Sequence, residues 1–512
     1  MSHRNSLLCT LPGARGITAG WILTGLLALG SCTKKLNTNQ NDPNGVSILQ
    51  LHGKDIFAQA LVYTVTDKVG ANPFNAVDNY DYAQQWMGYW ARNTGWASSG
   101  SQQQMETFTL GNSFANGIWG SLYHNIYDYD FVITNSAPNS ILPGASRVIR
   151  SMVFQDLVDQ FGNIPYQQAA LAGANITPPY DSATAIYKDL ILQLDTAITA
   201  ITASQATADD ASDVLFKGNK DLWLKFANTI KLRILLRQVP NGDQTYVRTE
   251  INNIITQGSG FLGAGEDALV NPGFADAQQR QNPFWAVYGF QVGGVSAYQN
   301  NNFFTANNFI LNFLNSTKDP RIAYFFAKNA QGGIGGNFFG ETGSTTAQTS
   351  AFGPGLLQSP AAAALLFSAS QSIFMQAEAV QRGLMPGNYT ALFKQGVEES
   401  FRYLTVPNPT AAADAFMAGS NNALVNITVS TNPLQTILYQ KWVAECGLDG
   451  LEAYNDFRRT GYPVNATPSY AASGPLPKRL LYPFSEYTQN PVNVNAQHQQ
   501  PGDIYTAIFW GM

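Results

Sequence analysis

Leu434-Gln-Thr-Ile-Leu-Tyr-Gln440-Lys441-Trp442-Val443-Ala-Glu-Cys446, stopped by Gly447, is followed almost at once by Gly450-Leu-Glu452-Ala453-Tyr454-Asn-Asp456-Phe457-Arg458-Arg459-Thr460-Gly461-Tyr462-Pro463. Apolar residues of the first stretch recur at helical spacing, and a glycine at the end is the usual way for a helix to stop. In the second, Glu452 and Asp456 lie at helical spacing with Arg458 and Arg459 beside them. That arrangement reads as an ion-paired scaffold rather than a binding site. Four more windows carry the same period. Tyr187, Leu190, Ile191, Leu194, Ile198 and Ile201 form one face, as do Trp223, Ala227, Ile230 and Ile234, and then Val247, Ile251, Ile254 and Ile255. Ser368 to Arg382 is Ala-rich and closes on Gly383. Lys231, Arg233 and Arg237 gather toward the end of their helix, where its dipole favours cations. The chain is therefore expected to be mostly α, built of stacked helical pairs, although no ~34-residue repeat signature is visible. Asn72 to Gly111, Phe274 to Asn308 and Gln331 to Pro360 do not read as helix, and loops of that length are usually functional or mobile.

Composition narrows the function. Of 512 residues 45% are hydrophobic and only 12% charged, which excludes a disordered chain. Basic residues number 29 against 34 acidic, a net charge of −5, so no basic stripe offers itself to nucleic acid. Polarity comes from amides and hydroxyls interleaved with 23 Tyr, 30 Phe and 9 Trp. That mixture suits a neutral, hydroxyl-rich ligand, although aromatics filling a core and amides filling loops account for most of it.

The N-terminus reads as a sorting signal. Arg4 and Arg15 precede the uncharged run Ile17–Gly30, too short for a membrane span of ~20 residues. Leu29-Gly30-Ser31-Cys32 then resembles a bacterial lipobox, in which the cysteine is acylated and becomes the mature N-terminus. The alternative is an ordinary secretory signal with Cys32 incidental. Residues 1–31 are thus expected to be a lipoprotein signal peptide, Cys32 the lipidation site, 32–45 a flexible tether, and 46–512 a single helical domain. Loss of Arg4 and Arg15 would take the net charge from −5 to −7. Cys9 leaves with the signal and Cys32 carries lipid, so Cys446 stands alone and no internal disulfide can form.

No catalytic signature is found. His52, His124 and His498 have no metal-ligand spacing and no cysteine pair. Gly258-Ser-Gly260-Phe-Leu-Gly263 fits G-x-G-x-x-G but follows a helix, not a strand, and so fails as a dinucleotide loop. Asp128 with Asp130, or Glu398 with Glu399, could converge as a glycosidase pair but are as easily a solvated face. No cofactor and no metal are expected.

The aromatic clusters stand out instead. Trp86-Met-Gly-Tyr89-Trp90-Ala-Arg92-Asn-Thr-Gly-Trp96 concentrates three Trp, a Tyr and an Arg in a predicted loop. Sugar C–H faces lie flat on such rings, while Arg and Asn bond hydroxyls. Phe284-Trp285-Ala-Val-Tyr288 and Tyr298-Gln-Asn-Asn-Asn302 make a second cluster of that kind. The candidate ligand residues are Trp86, Tyr89, Trp90, Arg92, Trp96, Trp285, Tyr288 and Tyr298. The alternative is that Trp86 and Trp90, four apart, form one buried helical face.

The C-terminal stretch quoted above resembles that of SusD-like members of the SusD/RagB family, outer-membrane lipoproteins of Bacteroidetes that bind nutrients. Asn41-Asp-Pro-Asn44, Asp159-Gln-Phe-Gly162-Asn-Ile-Pro165-Tyr166, Lys225-Phe-Ala-Asn228-Thr-Ile-Lys231-Leu-Arg233, Asp319-Pro320-Arg321 and Gln376-Ala-Glu378-Ala…Arg382-Gly383 match in the same order, so the resemblance covers nearly the whole mature chain. Cys446-Gly447-Leu448-Asp449 and Gln371 depart from it. The resemblance implies a SusD-like fold, with tetratricopeptide-like helical pairs supporting a long-loop ligand face. It also implies a TonB-dependent, SusC-like transporter as partner, on which the protein sits as a lid. The expected function is non-catalytic capture of an oligosaccharide or polysaccharide at the outer membrane, the protein being surface-exposed and membrane-attached through its lipid alone. Peptide capture in the same complex, a lipid-anchored glycoside hydrolase and a lid without a ligand of its own are the alternatives.

Overall fold

The structure is a computed structural model, and it describes residues 51–69, 81–169, 171, 175–343, 348–464 and 469–512. The signal peptide, Cys32, the tether and Asn41–Asn44 lie outside the described residues. His52–Met512 forms one compact unit.

The body is mostly helix, with three two-stranded antiparallel ribbons among the described residues. The N-terminal half runs α1 (Gly53–Val69), α2 (Asp81–Trp86), β1 (Trp90–Arg92), α3 (Gly100–Thr107), α4 (Asn116–Asn135), α5 (Leu142–Phe161), β2 (Ile164–Pro165), β3 (Tyr180–Asp181), α6 (Ala183–Ala203), α7 (Lys220–Gln238) and α8 (Gln244–Gln257). It continues through β4 (Ala268–Val270), α9 (Pro283–Tyr288), α10 (Gln299–Phe303), β5 (Phe304–Ala306), α11 (Asn308–Thr317), α12 (Ile322–Phe325) and β6 (Ala364–Phe367). The last third is α13 (Ala369–Gln381), α14 (Tyr389–Tyr403), α15 (Pro409–Ala418), α16 (Pro433–Ala444), α17 (Gly450–Thr460), α18 (Phe484–Gln489) and α19 (Pro491–Asn495). Consecutive long helices pack against each other: α4 on α5, α5 on α6, α6 on α7, α7 on α8, then α13 on α14 and α14 on α15. No described helix is long and apolar enough to cross a membrane.

The five predicted helices are present, and their ends have chemical causes. Ser182 caps α6 by accepting the Ala185 N–H, Asp243 caps α8, and Asp449 caps α17. Gly258, Gly447 and Gly461 follow α8, α16 and α17 with φ near +75 to +84°, a region that favours glycine. Gly258 thus ends a helix, and the G-x-G-x-x-G match is a helix stop. The segment Asn72–Gly111 is not one loop: its described part holds α2, β1 and α3. Phe274–Asn308 likewise holds α9, α10 and the whole of β5.

Where α7, α13, α16 and α17 meet, charge is buried in quantity. Lys441 Nζ on α16 lies 2.7 Å from Glu452 and 2.7 Å from Asp456 on α17, and 3.4 Å from Glu445. Arg237 on α7 pairs with Glu452, and with Asp159 of α5 at 3.3 Å. Arg459 bridges Asp456 and, at 2.6 Å, Glu378 on α13. The cations of α7 also have specific acidic partners. Arg233 pairs with Asp156 at 3.0 Å and Lys231 with Asp195, each fastening α7 to its neighbours. Arg458 is not an ion-pair member here. It stacks over Tyr454 and Trp510 and donates to the Lys478 and Asp159 carbonyls.

The carboxylates of Glu445, Glu452 and Asp456 converge as a metal site would, but the Lys441 ammonium stands among them as the cation. Burial alone would discharge Lys441, and the three acids outweigh it and raise its pKa. Burial likewise pushes Glu452 and Glu378 up, but Arg237 and Lys441 hold Glu452 well below its usual range, and Arg459 brings Glu378 to about 2. Glu445 differs. Neither of its oxygens is hydrogen-bonded, and burial holds its carboxyl well above its usual 4.5 against the pull of Lys441.

Two outcomes follow for urea denaturation. Lys441→Met leaves Glu452 and Asp456 short of a partner and lowers stability by ~3–5 kcal/mol, the cost of breaking a buried pair. Glu445→Gln acts the other way. Below pH 4.5 the wild-type carboxyl is protonated whether folded or unfolded, so the variant gains nothing there. As pH rises toward the raised folded pKa the wild type loses stability and the glutamine does not, so the variant is the more stable at pH 8.

Candidate functional site

The aromatic segment divides into rings that build the core and rings that face solvent. Trp86 closes α2 and is fully buried, its indole edge-on to Tyr82 at 4.8 Å and Tyr454 at 5.3 Å. Tyr89 stacks on Trp442 of α16 at 5.6 Å and donates its hydroxyl to the Trp442 carbonyl. Trp90 and Tyr288 pack on each other at 5.2 Å and on Phe352. None of these four has an accessible face, so none can stack on a sugar in this conformation, and they leave the set of ligand candidates. Nor are Trp86 and Trp90 one helical face: a turn through Gly88 separates α2 from β1.

Arg92 also turns inward. Its guanidinium pairs with Glu106 of α3 at 2.8 Å and donates to the carbonyls of Trp96 and Glu341. It positions the Trp96 turn rather than meeting a ligand.

Trp96 is the exposed member of the segment, at 36%. A tight turn, closed by its N–H donating to the Asn93 carbonyl at 2.9 Å, carries it. The turn is fixed from beneath by Arg92 and from the side by α10. There the indole N–H donates to the Asn302 carbonyl at 3.2 Å, and Phe303 packs on the ring at 5.8 Å. β1 pairs with β5, which follows α10 directly, so ribbon and helix hold the ring at a set place. Tyr298, the N-cap residue of α10, stands at the other end of that helix, ~7–8 Å of helical rise away. It donates its hydroxyl to Gln281 at 2.8 Å, and the neighbouring Trp285 donates its N–H to the Phe290 carbonyl at 2.9 Å. Both rings are half-buried. Trp285 borders a narrow cleft of about 50 Å³ with Phe284, Asn282 and Tyr403.

The structure therefore brings Trp96, Tyr298 and Trp285 to the surface around α10. It places Asn302 of the second cluster beside Trp96, and it adds residues that the pattern did not mark: Phe303 at the same ring, and Tyr470, 62% exposed. Tyr470 belongs to a segment tied to the backbone of α3, because Ser469 donates to the main-chain carbonyl of Glu106. Nothing in the local sequence around Tyr470 signals that tertiary link.

Elsewhere the titratable groups are absorbed in structure. Asp130 pairs with Arg150 at 2.7 Å, and buried Glu399 pairs with Arg402 at 2.6 Å, so neither acidic pair is a solvated face. His124, exposed, lies 3.9 Å from Asp128.

A family model described as "SusD-like_2: Starch-binding associating with outer membrane" matches residues 50–483. Among solved structures, a chitin-binding SusD homologue from Flavobacterium johnsoniae is 22% identical with a TM-score of 0.72, covering 89% of this chain and 98% of its own. A SusD/RagB family protein from Bacteroides thetaiotaomicron is 20% identical with a TM-score of 0.70, covering 90% and 100%. A SusD homologue from Bacteroides fragilis is 21% identical at 0.68, covering 90% and 99%. No curated protein sequence matches the chain.

Burial separates the two kinds of ring in a stability measurement. Trp86→Ala costs ~3–5 kcal/mol in chemical denaturation, as for a buried Trp elsewhere. Trp96→Ala stays within ~1 kcal/mol, because much of its ring is already in water.

Proposed function

The chain belongs to the SusD-like family, and from that premise we propose that it is a non-catalytic lipoprotein that captures a neutral glycan at the cell surface. The observation that carries the reading is the held, exposed ring of Trp96, with the Asn302 and Asn93 backbone and amide groups around it and Tyr298 along the same helix. An aromatic face with uncharged donors and acceptors at its edge suits a sugar ring, whose apolar face stacks and whose hydroxyls bond. Twenty charged side chains are buried among the described residues. The surface is thus left mainly to amides and hydroxyls, which favours a neutral ligand over an ionic one.

Delivery follows from the same family premise. A SusC-like TonB-dependent barrel would receive the glycan, and Cys32, acylated after removal of residues 1–31, would hold the protein on the outer membrane. Two acyl chains or more give durable attachment, at ~0.8 kcal/mol per buried methylene. Cys32→Ser then leaves the protein in the soluble fraction and abolishes incorporation of labelled fatty acid. Unchanged membrane association would refute the anchor.

Binding is tested with the soluble chain lacking residues 1–32, by affinity electrophoresis and calorimetry on a panel of neutral polysaccharides and peptides. The expected result is retention by a glycan, weakened about tenfold or more in Trp96→Ala, equivalent to ~1.4 kcal/mol. Retention by peptides alone would replace glycan by peptide. Turnover of an oligosaccharide, lost on changing one Asp or Glu, would make the protein a hydrolase.

A further inference from the structure

Away from α10, α18 and the final segment of the chain form a second surface of the same chemistry. Two open depressions, of about 600 and 870 Å³ measured out into solvent, share Pro501 as their common wall. No residue lining either one is charged. The first has Phe484, 59% exposed, and Tyr487 as its rings, with the amides of Asn112, Gln499 and Gln500 around them. The second continues it past Tyr505.

Three features show that these groups are held. The Asn112 amide donates to the Tyr482 carbonyl at 2.9 Å, and the Phe484 N–H donates to the Asn112 carbonyl at 3.0 Å, fixing the root of the Phe484 ring. The Tyr505 hydroxyl donates to the Phe108 carbonyl at 2.9 Å, tying the second depression to the end of α3. Gln499 accepts the Tyr482 N–H through Oε1 at 2.6 Å. That bond sets the orientation of its amide, since the flipped amide would place a donor against a donor. Gln499 is thereby held in the wall, and the exposed Gln500 stands beside it at the rim.

We infer that this groove is a second carbohydrate subsite, taking a neutral sugar segment that stacks on Phe484 and Tyr487 and bonds the exposed amide of Gln500 at its edge. The inference rests on the glycan-binding reading and extends it. α3 runs from just beyond the Trp96 turn to the edge of the groove, and its eight residues rise ~12 Å. A polysaccharide laid along α3 would meet both places, whereas a short oligosaccharide would occupy them separately.

The test uses the soluble chain lacking residues 1–32, with the neutral polysaccharide retained by the wild type and a trisaccharide fragment of it. Phe484→Ala and Gln500→Ala are compared with Trp96→Ala, and melting temperatures confirm that each variant is folded. Two trisaccharide sites in the wild type, one in Phe484→Ala and one in Trp96→Ala, support the groove. So does an approximately tenfold weaker retention of the polysaccharide by Phe484→Ala and Gln500→Ala. A single site lost in Trp96→Ala, with both groove variants binding like the wild type, overturns the groove and leaves glycan capture standing. A wild type that retains no glycan overturns both.

Discussion

Lys441 placed among Glu452, Asp456 and Glu445 is the constraint on which the fold turns. A buried ammonium costs several kcal/mol of lost hydration unless its partners are in position, so α16 and α17 have one workable register. Arg237 and Arg459 carry the same demand outward, the first to Asp159 on α5 and the second to Glu378 on α13. Five helices, α5, α7, α13, α16 and α17, are thereby located by ion pairs as well as by apolar contact. Glu445 is where this arrangement has an acid in excess. It accepts no hydrogen bond among the described residues, and burial raises its pKa against the pull of Lys441.

The ion-pair centre reaches the candidate ligand face through Trp442, the residue next to Lys441. Its indole N–H donates to the Met87 carbonyl at 3.0 Å, and its carbonyl accepts from Tyr89. The Gly447 N–H donates to Gln84, and a Cβ on Gly450 would come within 2.7 Å of the Gln84 backbone nitrogen. The segment from Gln84 to Trp90 thus lies directly on the turn between α16 and α17. β1 continues from it, pairs with β5, and delivers Trp96 to the surface. Charges fix helices, helices fix buried rings, and buried rings place the exposed one.

That chain of dependence explains what was legible. α6 and α8 showed in the sequence because one face of each meets solvent and the apolar residues stand out as a stripe. α5 gave no such signal, because 17 of its 20 residues are buried and polar side chains such as Asp156 and Asp159 are hidden beside the apolar ones. The Trp86–Trp96 stretch could not be sorted by inspection. Gly88 and the density of rings suit a loop as well as a core, and only Trp442, 353 positions beyond Tyr89, decides that Tyr89 points inward. Trp96 differed locally, flanked by Gly95 and followed by Ser98, Ser99 and Gly100. Arg92 was misread for a similar reason: its partner Glu106 lies on a separate element, the helix α3.

The low charge of the chain also takes on meaning once the charges are located. With 29 basic and 34 acidic residues in the sequence, twenty buried ones are a large share, and charged side chains are rarely buried unless paired. The scaffold consumes ionic groups internally and leaves Asn, Gln, Ser and Thr to cover the outside. A surface of that kind has little long-range field and does not steer ions. On the proposed reading, recognition would be by contact, through ring faces and short hydrogen bonds, which are individually weak. If the captured glycan is passed on, as proposed, two modest aromatic subsites along one helix would serve better than one deep pocket. A chain-like ligand would be held by their sum, while a single sugar unit would be free to leave.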